Sequence, residues 1–231
     1  MTTENKTRIR NAATVIVLRD ADTDPHILMG QRGANASFMP NKFVFPGGAV
    51  DDGDAHVPLG SAVNAGCASR LREDSPHDLG NALAAAAIRE LWEETGQILG
   101  TPGAWPDAPP DWAAFASAGF VPHAAPLQFI FRALTPPGRP RRFDARFFLV
   151  PADALVSDPD DFSAASDELS HLQWVPLADA RRFDMPFITE VVLSEVQGML
   201  SGKPPLTSVP FFKNSDEESL FLRLRGYPMP G

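Results

Sequence analysis

The chain contains few of the residues that cross-link a small secreted protein or carry it across a membrane. It has one cysteine, Cys67, among 231 residues, which excludes an internal disulfide framework and a zinc site built on cysteines. No apolar run reaches the length that spans a bilayer, and the first residues lack the apolar core of a signal peptide. The sequence therefore predicts a cytoplasmic protein with no membrane partner.

An excess of positive charge is also missing. The chain carries 20 Lys and Arg residues against 29 Asp and Glu residues, a formal net charge of −9. This balance argues against nucleic-acid binding. A small anionic substrate is compatible with it, because a divalent metal can bridge an acidic protein and an acidic ligand.

Apolar patterning predicts a single domain over 1–231, of the α/β (α+β) class. Apolar and β-branched runs predict strands at 12–19, 26–32, 43–50, 127–134, 143–150 and 171–175. Helical patterns predict a helix between an N-cap at Asn81 and Gly96, a short helix near 111–117 and an amphipathic helix at 186–200. Between these elements we expect a polar insertion at about 55–83, outside the core, and a C-terminal helical extension at about 186–231.

The helix that ends at Gly96 has the most informative pattern. One helical stripe is apolar and is predicted to bury against the sheet; its members are Ala84, Ile88, Leu91, Thr95 and Ile98. The opposing face gathers the carboxylates of Glu90, Glu93 and Glu94, together with Gln97, at helical spacing. Like charges so close are destabilising unless a hard divalent cation binds them. A solvated acidic face is the alternative interpretation.

Upstream of this helix, two adjacent glycines follow a strand-like segment. Gly47 and Gly48 allow the backbone to approach a ligand closely or to turn sharply, and a simple turn would explain them alone. Five residues separate Gly48 from the acid Asp54, and the segment Arg89–Gly96, Arg-Glu-Leu-Trp-Glu-Glu-Thr-Gly, follows. This combination is much harder to reach by chance than either part.

The combined pattern resembles the box of the Nudix hydrolase family: Gly, five residues, Glu, seven residues, then Arg-Glu-aliphatic-x-Glu-Glu-x-Gly-aliphatic. Asp54 stands where the family has Glu, and Gln97 stands where an aliphatic residue is usual. In this chain 34 residues separate Asp54 from Arg89, where the box has seven. The resemblance implies a Nudix-type α/β/α sandwich with a mixed central sheet.

A narrower resemblance rests on the interruption of the box and on two flanking motifs. The segments 38–48 (FMPNKFVFPGG) and 142–148 (RFDARFF) are similar to those of the branch that contains coenzyme A diphosphatases. This implies metal-dependent hydrolysis of a diphosphate linkage in coenzyme A or acyl-coenzyme A, giving 3′,5′-ADP and phosphopantetheine. The alternatives are ADP-ribose, a dinucleotide or another nucleoside diphosphate derivative as substrate, and a catalytically silent ligand sensor.

The resemblance also implies roles for individual residues. The expected ligands of Mg²⁺ or Mn²⁺ are Glu90, Glu93 and Glu94, with the backbone carbonyl of Gly48. Arg89 is expected to pair with Asp54 or a neighbouring Glu and to hold the carboxylates in place. The general base is either a box glutamate or a distant acid. The distant candidates are Asp167 and Glu168, of which Glu168, six residues before a Trp, has the spacing seen in the family. A polar loop without catalytic role explains Glu168 equally well.

A phosphate-rich substrate also needs basic contacts. The candidates are Arg32, Lys42, Arg142 and Arg146, although a solvated linker explains the basic run 139–142 as well. The expected partner is a small nucleotide-type molecule. The apolar tail segment Leu220–Leu224 packs either on its own domain or on a second copy, which leaves a homodimer open.

Overall fold

In the described residues, nine strands form one mixed β-sheet at the centre of the protein. The structure is a computed structural model that describes residues 8–36, 38–75, 78–202, 208–214 and 219–226. Its strands, in chain order, are β1 (Ile9–Arg19), β2 (His26–Arg32), β3 (Phe43–Val44), β4 (Gly47–Ala49), β5 (Gly100–Pro102), β6 (Phe120–Pro122), β7 (Gln128–Leu134), β8 (Arg142–Pro151), β9 (Leu169–Pro176), β10 (Val209–Asn214) and β11 (Ser219–Leu224).

The order across the sheet is β11-β10-β7-β8-β1-β2-β3, with β4 also paired to β1 and β9 to β2. The pairs β1–β8 and β7–β10 are parallel, and the others are antiparallel. Strands β5 and β6 form a separate antiparallel ladder. The predicted mixed central sheet is therefore confirmed.

Helices lie on both faces of this sheet; they are α1 (Ala65–Arg72), α2 (Gly80–Thr95), α3 (Ala113–Ser117) and α4 (Phe187–Leu200). Side chains alternate between the two faces of a strand. Accordingly, Val15 and Val17 of β1 enter a core shared with α1 and α2, whereas Ile16 and Leu18 enter a core shared with α4. This arrangement confirms the layered α/β/α architecture.

Helix α2 lies where the sequence predicts it, but it begins earlier. Gly96 ends it in the left-handed conformation, with φ 74°, as predicted. The helix starts at Gly80 with Leu79 in the N-cap position, so the prediction of Asn81 as N-cap is wrong. The side-chain amide of Asn81 instead donates to the carbonyl of Val57, 3.2 Å away, and so ties the start of α2 to the segment that follows the glycine loop.

The prediction that the insertion at 55–83 contributes nothing to the core is also wrong. Helix α1 lies within it, and the Asn64 side chain caps this helix by accepting from the Cys67 amide at 2.9 Å. Cys67 and Leu71 are 1% and 2% exposed and pack in the core under α2. The helix is short, and its two deeply buried apolar positions are too few to give a recognisable period. Residues 76–77 of the insertion lie outside the described residues.

The C-terminal segment is not the helical extension that was predicted for 186–231. After α4, strands β10 and β11 extend the sheet next to β7. Phe211 and Leu224 are buried in the core that also contains α2. The segment Leu220–Leu224 therefore packs on its own domain. Residues 203–207, 215–218 and 227–231 lie outside the described residues. None of the helices in the described part of the chain is both long and apolar enough to cross a membrane.

Candidate active site

The two glycines of β4 bring main chain against the acidic face of α2. Gly48 is paired with Ala13 of β1. A Cβ atom added at Gly48 would lie 2.6 Å from Oε2 of Glu90, closer than nonbonded atoms approach. Only glycine therefore lets the backbone come so near to this carboxylate.

Arg89 is the centre of the ionic network at this site. Its Nε and Nη2 atoms donate to the two oxygens of Asp54 at 3.1 and 3.0 Å. Its Nη1 atom donates to Oε1 of Glu90 at 2.9 Å and to Oε2 of Glu93 at 3.2 Å. Nη2 also donates to the Ala49 carbonyl. Arg89 thus joins the end of the glycine loop to α2 and holds two of the box glutamates.

Glu94 is the most deeply buried of the three box glutamates, with 1% of its surface exposed. Its Oε2 accepts from the Gly47 amide at 2.7 Å, while its Oε1 is buried with no hydrogen-bond partner in the described part of the chain. Burial, and then the charge of Glu90, raise the pKa of Glu94 well above its usual range. A buried carboxylate in this state is stabilised by either a proton or a cation.

These donors fit a hard divalent cation. Carboxylate oxygens are the ligands that Mg²⁺ and Mn²⁺ prefer, and the unpaired oxygen of Glu94 is one of them. However, among the residues described, no three Asp, Glu, His or Cys side chains are already arranged to hold a metal ion. Glu90 and Glu93 face Arg89 instead. A bound cation would therefore compete with Arg89 for these two carboxylates.

The metal-free protein is expected to lose stability as the pH rises from about 5 to about 8. Burial raises the pKa of Glu90 from 4.5 to about 7, despite the opposing effect of Arg89. Between these values the folded state keeps a proton that the unfolded state has released. This proton contributes to the free energy of unfolding. The contribution is complete below the pKa of Glu90 in the unfolded state and is lost as the pH rises through its pKa in the folded state, a change of up to about 3 kcal/mol.

Urea unfolding in EDTA at a series of pH values measures this change. The variant Glu90→Gln cannot release the proton, so its free energy of unfolding should vary less with pH over the same range. If the wild type and the variant showed the same pH dependence, Glu90 would not carry the raised pKa.

Glu168 lies beside this group of carboxylates, just before β9. Its Oε1 accepts from Nη2 of Arg32 at 2.9 Å. Besides burial, the charge of Glu168 also raises the pKa values of Glu90 and Glu94. The backbone amide of Ser166 donates to the Glu93 carbonyl at 2.8 Å, which attaches the loop before β9 to α2. The structure thus brings Glu168 and Arg32 near the box glutamates, although Glu168 and Arg32 lie 136 residues apart from each other in the chain.

The other basic candidates are engaged elsewhere. Lys42 forms an ion pair with Asp184, just before α4. The Arg142 guanidinium donates to the backbone carbonyls of Thr135 and Asn214, on the β7–β10 side of the sheet. None of these contacts joins Lys42 or Arg142 to Arg89 or to the box glutamates.

The prediction that Arg146 binds substrate is wrong. This residue is 1% exposed, and its Nη1 donates to Oδ1 of Asn11 at 2.6 Å and to the Asp144 carbonyl at 2.8 Å. Burial lowers the pKa of Arg146 to about 10, although Asp144 opposes this effect. Arg146 therefore belongs to an internal ionic network, in which Arg132 also binds Asp144, and its Nε and Nη2 atoms are buried with no hydrogen-bond partner in the described part of the chain.

Asp111 is an acid near the site that the sequence does not predict. A turn at 109–112, which leads into α3, lines a cavity of about 70 Å³ together with Asp54 and Arg89. Asp111 projects from this turn, and after burial its charge is one of the influences that raise the pKa of Glu93. The turn lies in a Pro- and Ala-rich stretch without a motif, so no sequence signal could have identified it.

Comparison with known proteins gives three consistent findings. The NUDIX domain model matches residues 77–195. "Putative nudix hydrolase 7" of Caenorhabditis elegans is 30% identical over 180 residues, which are 72% of this chain and 51% of that protein. The chain thus spans about half the length of this curated relative. The crystal structure of a NUDIX hydrolase from Alicyclobacillus acidocaldarius is 29% identical, with a TM-score of 0.62, over 84% of this chain and 96% of that one.

Proposed function

Because the chain belongs to the NUDIX family, we propose that it is a metal-dependent hydrolase that cleaves the diphosphate linkage of a nucleoside diphosphate derivative. The observation that carries this proposal is the packing of three glutamates around Arg89 and the Gly47–Gly48 backbone, with one oxygen of Glu94 buried and unpaired. This group of carboxylates is not a solvated helix face, since Glu90 and Glu94 are buried. Retention of all three glutamates also favours an enzyme over a silent ligand sensor.

In this proposal Glu90, Glu93 and Glu94 hold Mg²⁺ or Mn²⁺, together with the carbonyl of Gly48. When bound, the cation neutralises the charge of the phosphates and lowers the pKa of a water that attacks phosphorus. Arg89 keeps Glu90 and Glu93 close together, because each of its nitrogens is committed to Asp54, to one of these two glutamates or to the backbone.

Glu168 is the general base that we favour, with a box glutamate or the neighbouring Asp167 as alternatives. A carboxylate oxygen of Glu168 would accept a proton from the attacking water, and Arg32 would hold that carboxylate in position. The side chain of Arg32 is mostly covered, but 19% of it is exposed, and through this part it can also donate to a phosphate oxygen. Water oxygen then joins one phosphorus, and the bridging oxygen leaves with the other.

Coenzyme A or acyl-coenzyme A is the substrate that we propose, with ADP-ribose or a dinucleotide as alternatives. The support is the resemblance of the segments 38–48 and 142–148 to the coenzyme A diphosphatase branch. Arg32 is the basic candidate that contacts the site and could bind an additional phosphate group, whereas Lys42 and Arg142 are engaged elsewhere and Arg146 is buried.

Hydrolysis assays across a substrate panel test both levels of the proposal. Coenzyme A, acetyl-coenzyme A, ADP-ribose, NADH and nucleoside triphosphates are each incubated with Mg²⁺, with Mn²⁺ or with EDTA. We expect 3′,5′-ADP to appear from coenzyme A, with either metal and not with EDTA. Cleavage of ADP-ribose or NADH alone would reassign the substrate. Binding without turnover for every compound would contradict the assignment as an enzyme.

A further inference from the structure

We infer that Gln97 is a positioning residue: it fixes the Glu168 loop (residues 157–168) to the C-terminal end of α2 and thereby sets where Glu168 lies in the active site. The inference rests on the proposed function, because it concerns the loop that carries the proposed general base. Gln97 also stands where the Nudix box has an aliphatic residue.

The side chain of Gln97 is fully buried, and both ends of its amide are engaged by the Glu168 loop. Nε2 donates to the carbonyls of Asp158 and Asp161 at 3.2 and 2.9 Å. Oε1 accepts from the hydroxyl of Ser157 at 2.8 Å. Two carbonyl acceptors on one side and a hydroxyl on the other are consistent with only one orientation of the amide.

The two ends of the loop are attached to α2 and its extension by main-chain groups. At the start, the Ile98 amide donates to Oγ of Ser157 at 3.0 Å, and Val156 donates to the Ile98 carbonyl at 2.9 Å. At the end, the Ser166 amide donates to the Glu93 carbonyl. Between these ends, the side chain of Gln97 holds the turn by its hydrogen bonds to Ser157, Asp158 and Asp161.

Other contacts of this turn come from different elements. Nε1 of Trp174 donates to the Pro159 carbonyl at 3.0 Å, and Arg19 pairs with Asp160. The Asp160 side chain is 68% exposed, so this ion pair contributes little. The hydrogen bonds of Gln97 are part-buried, and carbonyls that lose a donor in such a position tend to rearrange to find another one.

Glu168 is the last residue of this loop, seven residues after Asp161 and two after Ser166, so a shift of the turn reaches the proposed base through the residues between them. Its Oε1 contacts Arg32 of β2, and Arg32 belongs to the rigid sheet. If the turn moves, the main chain of Glu168 loses part of its support, and the contact to Arg32 alone leaves the position of the carboxylate relative to Glu90 and Glu94 less well fixed. General-base catalysis depends on hydrogen-bond reach to the attacking water, so such a displacement should reduce turnover more than substrate binding.

The test compares Gln97→Met with Thr95→Val. Methionine conserves the volume of Gln97 and removes both hydrogen-bonding ends. Thr95 is equally buried at the same end of α2, but its hydroxyl contacts the Leu91 carbonyl and the main-chain amide of Gln97, and it makes no hydrogen bond to the loop within the described residues. In Q97M we expect amide hydrogen exchange within 157–168 to accelerate at least ~10-fold, and kcat for coenzyme A with Mg²⁺ to fall about 10-fold with KM nearly unchanged. In T95V both quantities should stay near wild-type values.

Unchanged exchange in 157–168 of Q97M would overturn the inference, and so would faster exchange with an unchanged kcat. A similar loss of kcat in T95V would show a general effect of disturbing the helix end and would also overturn it. A wild-type protein inactive on the whole substrate panel would overturn the proposed function. Exchange in Q97M would still decide whether Gln97 holds the loop.

Discussion

Replacing Glu94 by Gln is expected to reduce turnover at least ~100-fold, equivalent to about 2.7 kcal/mol of transition-state stabilisation, while the protein stays folded. The buried Oε1 of Glu94 has no partner in the described residues and is the oxygen that we assign to the cation. Glutamine retains an oxygen that can accept from the Gly47 amide, so the contact to the glycine loop survives. The change removes the charge that draws the cation and leaves the shape of the site intact.

Glu190→Gln is the matched control, because it makes the same chemical change on the exposed side of α4. Steady-state rates at saturating Mg²⁺ measure the loss, and thermal melting with and without Mg²⁺ reports on metal binding separately. Wild-type protein and E190Q should gain stability from the metal, and E94Q should gain much less. Rates for E94Q within a few-fold of wild type would remove Glu94 from the set of metal ligands.

The sequence was informative wherever one local pattern decides a structure. Helix α2 could be predicted because its apolar stripe repeats with helical spacing and because Gly96 ends it with a left-handed residue. Its start was misplaced because Leu79, the residue in the N-cap position, makes no side-chain capping hydrogen bond. The box acids were found for a similar reason, since three carboxylates and an arginine lie within six residues of one another.

What could not be predicted depends on partners that are distant in the chain. Gln97 bonds carbonyls 61 and 64 residues away, and no local pattern in the sequence indicates such a pair. Arg146 was misassigned for a related reason. The alternation of β8 directs its side chain to the sheet face that α1 and α2 cover, and α1 itself was not predicted. A basic residue in a strand was therefore taken for a ligand contact when it is an interior residue.

The interior role of the insertion leads to the last expected result, a loss of cooperative folding when residues 58–78 are replaced by a short Gly-Ser linker. Such a linker can connect the remaining ends, because the Asn81 side chain hydrogen-bonds the Val57 carbonyl. The replacement removes Cys67 and Leu71 from the core. It also removes the carbonyls of Glu73 and Asp74, to which Nη1 and Nη2 of the buried Arg132 donate at 3.0 and 3.1 Å, so that Nη1 loses this acceptor and Nη2 keeps its bond to Asp144.

Truncating a buried Leu to Ala alone lowers stability by about 2–5 kcal/mol, whereas shortening the loop recovers only about 1 kcal/mol of closure entropy. The net loss of stability in the linker variant is therefore a large part of the roughly 5–15 kcal/mol that stabilises a typical domain. Urea unfolding followed by circular dichroism measures the free energy of unfolding in the linker variant and in the pair Leu71→Ala and Leu71→Met. L71A should lose about 2–4 kcal/mol, and L71M, which conserves volume, less than about 1.5 kcal/mol. A linker variant that unfolds cooperatively with nearly wild-type stability would show that α1 is an accessory of the fold, and that the core under α2 is complete without it.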